Sequence, residues 1–350
     1  MALPVVKTLA DSADYYKTVA PYISQLYDLP YQIFEAIKTN PSSLSQIYLD
    51  TNPLVFAFAF ALFLVPLFLL LSEINRNYSQ VDRVWSILPT VFNIHYVAWA
   101  HLHNLDTKRL DALLAASVIW SFRLTYNYWR KGGYSVGSED YRWEILRKHI
   151  PAPLFFAFNV LFISLAQSVL LWSITTPTYI LLLRSRLAQS GKNTPADYDG
   201  LDMLFSRFLV ALVLLTYIAD NQQWHYQTIK QNYKSSAKLP SDSKFSQIDL
   251  ERGFLTKGLF GWSRHPNFAA EQSFWVTLYI WAAVKSETPF NWTAIGAVSY
   301  LILFQASTWF TESVSAKKYP DYKVYQKKVG MFLPTRLRPV KETDFEIASK

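Results

Sequence analysis

The chain has 350 residues, 51% hydrophobic, 17% aromatic and only 17% charged, with no cysteine. Soluble domains carry about 25% charged residues, so this deficit, gathered into long apolar runs, excludes a disordered chain and an ordinary water-soluble globule. The missing cysteine removes disulfide frameworks, thiolate nucleophiles and cysteine metal sites. A net charge of +8 fits a nucleic-acid binder or a membrane protein with basic cytosolic loops, and the placement of the charges favours the membrane.

Residues 1–52 form an N-terminal arm without the basic start and apolar stretch of a signal peptide. Tyr16, Val19, Ile23, Leu26 and Tyr27 recur at helical spacing among polar residues. This suits either a helix lying in the headgroup region or a loosely ordered arm, with Pro21 and Pro30 expected to interrupt any helix. Residues 53–335 form the main domain and 336–350 a C-terminal tail.

A membrane-spanning helix needs about 20 mostly apolar residues. Pro53 to Leu71 supplies one without a charge, followed by Val84–Leu102, Leu110–Trp129, Leu154–Leu183, Leu204–Asn221, Asn267–Val284 and Trp292–Phe310. The fourth is too long for one simple helix, and Pro177 offers a kink or break within it. The expected fold is an all-α, polytopic integral membrane bundle of about seven transmembrane helices, with cytosolic loops capping a cofactor cavity.

With seven spans, the segments on one side hold 23 of the 34 basic residues, which makes that side cytosolic. The stretch from Lys230 to Lys257 is the most polar in the chain and reads as a cytosolic loop. Ionisable groups at span ends are costly in hydrocarbon and therefore informative. Asp82 and Arg83, Arg123 and Asn127, Asp220 to Gln223, Arg264 to Asn267 and Glu312 all fall on cytosolic ends in this topology. Each alone reads as a border residue that snorkels outward, whereas their density predicts a shared cavity open to cytosolic water.

Pro266 marks the first turn of a helix, and Glu271 lies one turn inside it beside Asn267. A carboxylate there wants a partner, for which Arg264, His265, a phosphate or a ribose hydroxyl are candidates. The segment from Gly132 to Trp143 mixes three glycines with charge and aromatics, but carries no GxGxxG or GxxxxGK fingerprint. Tyr319, Tyr322 and Tyr325 with Lys327 and Lys328 could stack on a base and pair with phosphates, or anchor a tail to the bilayer surface. His101 and His103 are an isolated pair without further ligands, so no metal site is expected.

The run Gly258-Leu-Phe-Gly-Trp-Ser-Arg-His-Pro-Asn-Phe-Ala-Ala-Glu-Gln272, a Trp-rich span, and Tyr319-Pro-Asp-Tyr-Lys-Val-Tyr-Gln326 together resemble the C-terminal domain of the steroid 5-alpha-reductase superfamily, and more closely its DUF1295 branch. Asp82 to Trp85, Arg123-Leu124, Glu139 to Arg142 and Asp220 to Gln223 extend the resemblance over roughly residues 55 to 335. The Arg-His-Pro element is shared with isoprenylcysteine carboxyl methyltransferases and sterol double-bond reductases.

The resemblance implies an integral membrane oxidoreductase that uses NADPH to reduce a double bond conjugated to a carbonyl in a lipid or steroid-like substrate, in the endoplasmic reticulum with the active site facing the cytosol. It implies cofactor contacts at Arg123, Asn127, Asp140, Tyr141, Arg142, Asp220, Gln223, Trp224, Arg264, His265, Asn267, Glu271, Tyr322 and Gln326, with the Arg264 region as electrostatic clamp. Steroid-reducing relatives use a Gln-Glu pair in the second span and a tyrosine in the third. Here Asp82 and Tyr126 stand at the comparable places, a departure that leaves the lipid open. Hydride delivery leaves negative charge on the carbonyl oxygen, so a neutral donor must wait there. Tyr126 is assigned as that donor and Asp82 as its orienting partner. The alternatives are an S-adenosylmethionine-dependent methyltransferase of the isoprenylcysteine type and a non-enzymatic lipid-binding membrane protein; no nucleic-acid partner is expected.

Overall fold

The computed structural model describes residues 2–189, 198–239 and 243–346. The last four residues of the expected tail, Lys350 among them, and residues 240–242 of the expected polar loop lie outside the described residues. Among the described residues the fold is all-helical, and the sole β pairing is an isolated bridge between Ser263 and Gly330. The chain divides into two compact units, one of residues 1–210 with 275–300 and one of residues 211–274 with 301–350.

Among the described residues, four helices are long and apolar enough to cross a membrane: Pro53–Asn75, Ala152–Leu187, Gly200–Ser236 and Ala294–Lys318. The other three expected spans fold as helices but do not meet that standard. Leu88–Leu102 has 15 residues, a rise of about 22 Å against a hydrocarbon core of about 30 Å. Lys108–Arg130 carries Arg109, Asp111 and Arg123, and Pro266–Lys285 carries Glu271 and Lys285. Length and apolarity therefore identify four candidate spans among the described residues, and do not by themselves establish the expected count of about seven.

The first unit opens with the short α1 (Tyr15–Thr18), α2 (Ile23–Thr39) and α3 (Ser43–Asp50). The expected interruption at Pro30 does not occur, because α2 runs through it. Leu29 and Ala36 are buried, while Tyr27, Tyr31, Phe34 and Ile37 lie exposed along one stripe, the pattern of a helix that rests on an apolar phase. Asn52 then caps α4 (Pro53–Asn75) by accepting from the Leu54 N–H at 2.9 Å.

After α4 come α5 (Gln80–Val84), α6 (Leu88–Leu102), α7 (Lys108–Arg130), α8 (Tyr141–His149) and α9 (Ala152–Phe158). A π-helical stretch, Asn159–Ala166, leads into α10 (Gln167–Ser173). The long apolar run is interrupted at Ile174 and Thr175, after which Pro177 sits in the first turn of α11 (Thr176–Gln189). Gly296 of α15 (Ala294–Lys318) packs there so closely that a Cβ would stand 2.3 Å from the Ser173 carbonyl oxygen. Polar side chains tie α6, α7 and α11 together. Thr90 and Ser117 are hydrogen-bonded at 2.8 Å, Asn93 donates to the Ser117 hydroxyl at 3.0 Å, and Thr178 donates to Asn93 Oδ1 at 2.8 Å.

The first unit also buries an ionic knot. Arg109 grips Asp202, the third residue of α12 (Gly200–Ser236), through Nε at 2.8 Å and Nη2 at 2.7 Å. The Trp281 indole donates to the same carboxylate at 2.7 Å, and Lys285 lies 3.3 Å from Asp202 and 2.6 Å from Asp199. Trp281 and Lys285 belong to α14 (Pro266–Lys285), so three helices share one buried anion.

In the second unit α12 continues to Ser236. The stretch 230–257 is thus not a simple loop. Its first residues extend the helix because Tyr226, Ile229 and Tyr233 pack on Phe245, Leu250, Leu255 and Phe260. The capped α13 (Gln247–Arg252) follows, then α14, the second half of α15, α16 (Tyr322–Lys328) and α17 (Thr343–Glu346). Phe254, Tyr322, Tyr325, Val329, Val340 and Phe345 form a second apolar cluster.

Replacing Asp202 by Ala takes away the carboxylate that Arg109, 3% exposed, grips, and leaves Lys285, 4% exposed, with Asp199. The expected loss is about 3–5 kcal/mol, the usual cost of breaking a buried pair from one side. Thermal unfolding of the detergent-solubilised variant measures it. An unchanged unfolding temperature contradicts the knot's role.

Candidate functional site

The residues singled out in the sequence fall into two groups, one in each unit. In the first unit, α7 buries a stripe of Ser117, Trp120, Arg123 and Asn127. Asn127 accepts from Arg130 Nε at 3.0 Å. The segment after α7 is tied to residues 77–83: Arg83 Nη2 and Asn77 Nδ2 donate to the Ser138 carbonyl at 2.8 and 2.9 Å. The Glu139 carboxylate accepts from the Tyr78 N–H at 2.8 Å. Asp140 caps α8, accepting from the Arg142 N–H at 2.9 Å and from its guanidinium at 2.8 and 2.9 Å. Tyr141, beside it, is exposed.

Asp82 accepts a 2.7 Å hydrogen bond from the Trp143 indole. Burial pushes its carboxyl above the usual range, outweighing the attraction of Arg142 and the Trp143 hydrogen bond. The expected pairing of Tyr126 with Asp82 is not formed. Tyr126 is 49% exposed and packs on Trp129 and the Arg130 guanidinium, at 5.9 and 5.4 Å. The reason is helical phase, since Tyr126 falls beside the buried Arg123–Asn127 stripe. Tyr128, two residues on and roughly opposite in azimuth, is the half-buried phenol within electrostatic range of Asp82, Arg83 and Asp140.

The second group centres on Glu312 of α15, which is 2% exposed. Arg264 binds it in a fork, Nε to Oε1 at 2.6 Å and Nη2 to Oε2 at 3.0 Å. His265 Nε2 lies 2.9 Å from Oε1, Gln326 Nε2 donates to Oε2 at 2.9 Å, and the Tyr322 hydroxyl donates at 3.4 Å. Arg264 Nη1 also donates to the carbonyls of Gln326 and Val329. Backbone bonds from Arg264 to Gly330 and from His265 to Met331, at 2.9 and 3.0 Å, close the corner. Burial raises the Tyr322 hydroxyl above the ordinary phenol range, so it remains a neutral donor.

This geometry corrects the assignment of Arg264 as a phosphate clamp. Four of its five N–H groups are engaged inside the protein. His265 is likewise held by Glu312, and its ring stacks on Phe268 with centroids 5.4 Å apart. The corner's work is to fix the entry into α14. Just past it, Asn267 Nδ2 donates to Asp220 Oδ1 at 3.1 Å, joining α14 to α12. Glu271 is buried one turn further along. Gln223 is partly buried and Trp224 is 38% exposed. Asp220, Arg264 and Tyr322 therefore belong to one assembly. Glu312, noted in the sequence only as closing a span, is its centre; a lone carboxylate near the end of an apolar run was the available signal.

A family model described as "Protein of unknown function (DUF1295)" matches residues 68–329. The chain belongs to the DUF1295 family. It is also 36% identical over 332 residues to an uncharacterized protein of Schizosaccharomyces pombe, covering 95% of this chain and 93% of the relative. No solved structure matches it. The family match takes in Asp82, Asp140, Asp220, Asn267, Glu312 and Gln326, hence both polar groups.

Asp82 gives a pH-dependent test. A carboxyl raised above its unfolded value of 3.8 stabilises the fold most below that value, and the contribution is lost as pH rises through the folded pKa. Asp82→Asn keeps an acceptor for Trp143 and removes the ionisation cost. Its unfolding temperature should equal the wild type's near pH 4 and exceed it at pH 7. A variant less stable at pH 7 contradicts the account.

Proposed function

We propose that this DUF1295 protein is a membrane oxidoreductase that uses NADPH to reduce a carbon–carbon double bond conjugated to a carbonyl in a lipid or steroid-like substrate. The reading includes a place in the steroid 5-alpha-reductase superfamily, a bundle of about seven spans, and an endoplasmic reticulum location with the site open to the cytosol. The supporting observation is the Asp220–Asn267 pair beside the first turn of α14, held in register by the Arg264–Glu312 fork.

These residues fit a dinucleotide, although not in the way the sequence suggested. Asp220 offers a carboxylate and Asn267 an amide donor, the complement of ribose hydroxyls. The positive end of α14 suits phosphate. Trp224 presents a half-exposed indole on which a base can stack. Bound there, NADPH supplies a hydride. Arg264, His265, Gln326 and Tyr322 act through Glu312, positioning α14 without needing to touch the cofactor.

In the first unit we assign the proton donor to Tyr128 and the orienting field to Asp82, in place of Tyr126. A phenol meets the chemical need because it is neutral at cytosolic pH and donates to the oxygen on which charge develops. Arg123, Asn127, Asp140, Tyr141 and Arg142 support this cluster.

Purified protein titrated with NADPH and with S-adenosylmethionine tests the reading. NADPH should bind, and Asn267→Ala should weaken it at least tenfold at a temperature where the variant is still fully folded. Tyr128→Phe should retain NADPH affinity and lose about a hundredfold or more in NADPH oxidation with an enone lipid. Tight binding of the methyl donor with indifference to NADPH contradicts the proposal.

A further inference from the structure

The second unit holds an open groove of about 460 Å³ that lies apart from the Glu312 fork's hydrogen bonds. Its lining combines the apolar side chains of Ile218, Leu259 and Trp262 with the polar ones of Gln222, Thr256 and Lys257. The mixture matches a feature of α12. Ile218 ends the apolar stretch of a helix able to span a bilayer, and Gln222, one turn on, lies in the polar run that begins at Asp220. The groove therefore lies beside the part of α12 where an apolar run gives way to polar residues, as at a boundary between hydrocarbon and headgroups.

Its far wall is Pro339 and Val340. The Val340 N–H donates to the Gly261 carbonyl at 2.9 Å, which pins this segment against residues 259–262. A Cβ on Gly261 would come within 2.9 Å of the Pro339 side chain, so the approach depends on glycine. Next to the wall, Leu337 is fully exposed and Leu333 is 74% exposed. Arg336 is neutralised by Asp344 and Lys257 by Asp249, the latter at 2.5 Å. Arg338 and Lys341 are exposed and form no ion pair among the described residues. The rim thus carries unbalanced positive charge beside bare leucines. Gln222 commits its oxygen to the Leu259 N–H at 2.9 Å, which leaves its Nε2 donors for a ligand.

We propose that this groove binds one anionic phospholipid, its acyl chain along Ile218, Leu259 and Trp262 and its headgroup phosphate toward Gln222, Arg338 and Lys341. An apolar trough that opens onto basic residues at the hydrocarbon boundary complements a lipid with a charged head, and complements a zwitterionic head less well. The proposal is independent of the reductase reading, since Asp220 and Asn267 are not among the lining residues.

Native mass spectrometry of the detergent-purified full chain tests it, using phosphatidylserine and phosphatidylcholine of matched acyl chains. Wild type should retain one phosphatidylserine at least fivefold more than phosphatidylcholine. Arg338→Gln with Lys341→Gln, both on the surface, should erase that preference, and Ile218→Trp, which fills the trough, should lower retention of both lipids. Equal retention of the two lipids by wild type, or a preference untouched by the double variant, overturns the proposal. Expulsion of the bound phosphatidylserine by NADPH also overturns it, by assigning the groove to the nucleotide.

Discussion

The Arg264–Glu312 fork is the contact on which the second unit depends. A guanidinium and a carboxylate, both nearly out of solvent, satisfy each other through two bonds, and Arg264 Nη1 closes on the carbonyls of Gln326, in the last turn of α16, and Val329, just after it. Such a pair is weak evidence for net stability, because taking both charges out of water offsets much of their attraction. It is strong evidence for geometry. With one member gone the other is buried without compensation, so arrangements of α14, α15 and the 326–331 segment that separate the two are disfavoured.

From that corner the placement of the candidate site follows. Ser263 bridges to Gly330, Arg264 and His265 donate to Gly330 and Met331, and the chain enters α14 at Pro266 with a fixed direction. Asn267 thereby reaches Asp220 on α12, while Gln222 two residues on carries the Gly258–Leu259 turn. Gly258 has φ of +65°, and a Cβ there would stand 2.5 Å from Gln222 Oε1, so the turn and the amide are matched. In the first unit the equivalent commitment is Asp82, a carboxylate kept in a costly partly buried place beside Trp143. Perturbed carboxyls of this kind concentrate at working sites, which is the reason to attach chemistry to it.

The sequence made the strongly apolar parts legible, because a run such as Pro53–Asn75 has no alternative to an apolar surrounding. The polar groups were harder to read. Arg264 looks like an anion hook when only its neighbours His265 and Asn267 are seen; its partner Glu312 lies 48 residues away, and periodicity carries no information about that distance. Tyr126 lies three residues past Arg123, close to the same face, whereas the buried stripe of α7 runs on through Asn127. The polar composition after Lys230 hid a helix whose stability comes from tertiary packing of Tyr226, Ile229 and Tyr233. Pro30 was read as a breaker, yet α2 passes through it, as tertiary context often overrides local propensity.

A double-mutant cycle on Arg264 and Glu312 tests the central claim most directly, with thermal stability and nucleotide affinity measured on Arg264→Met, Glu312→Leu and the double variant. The account predicts that the double variant is at least as stable as either single one, a coupling of about 2 kcal/mol or more, and that it binds nucleotide like the wild type. Additive losses in stability, with affinity falling whenever Arg264 is absent, would show that the arginine serves the ligand and not the fold.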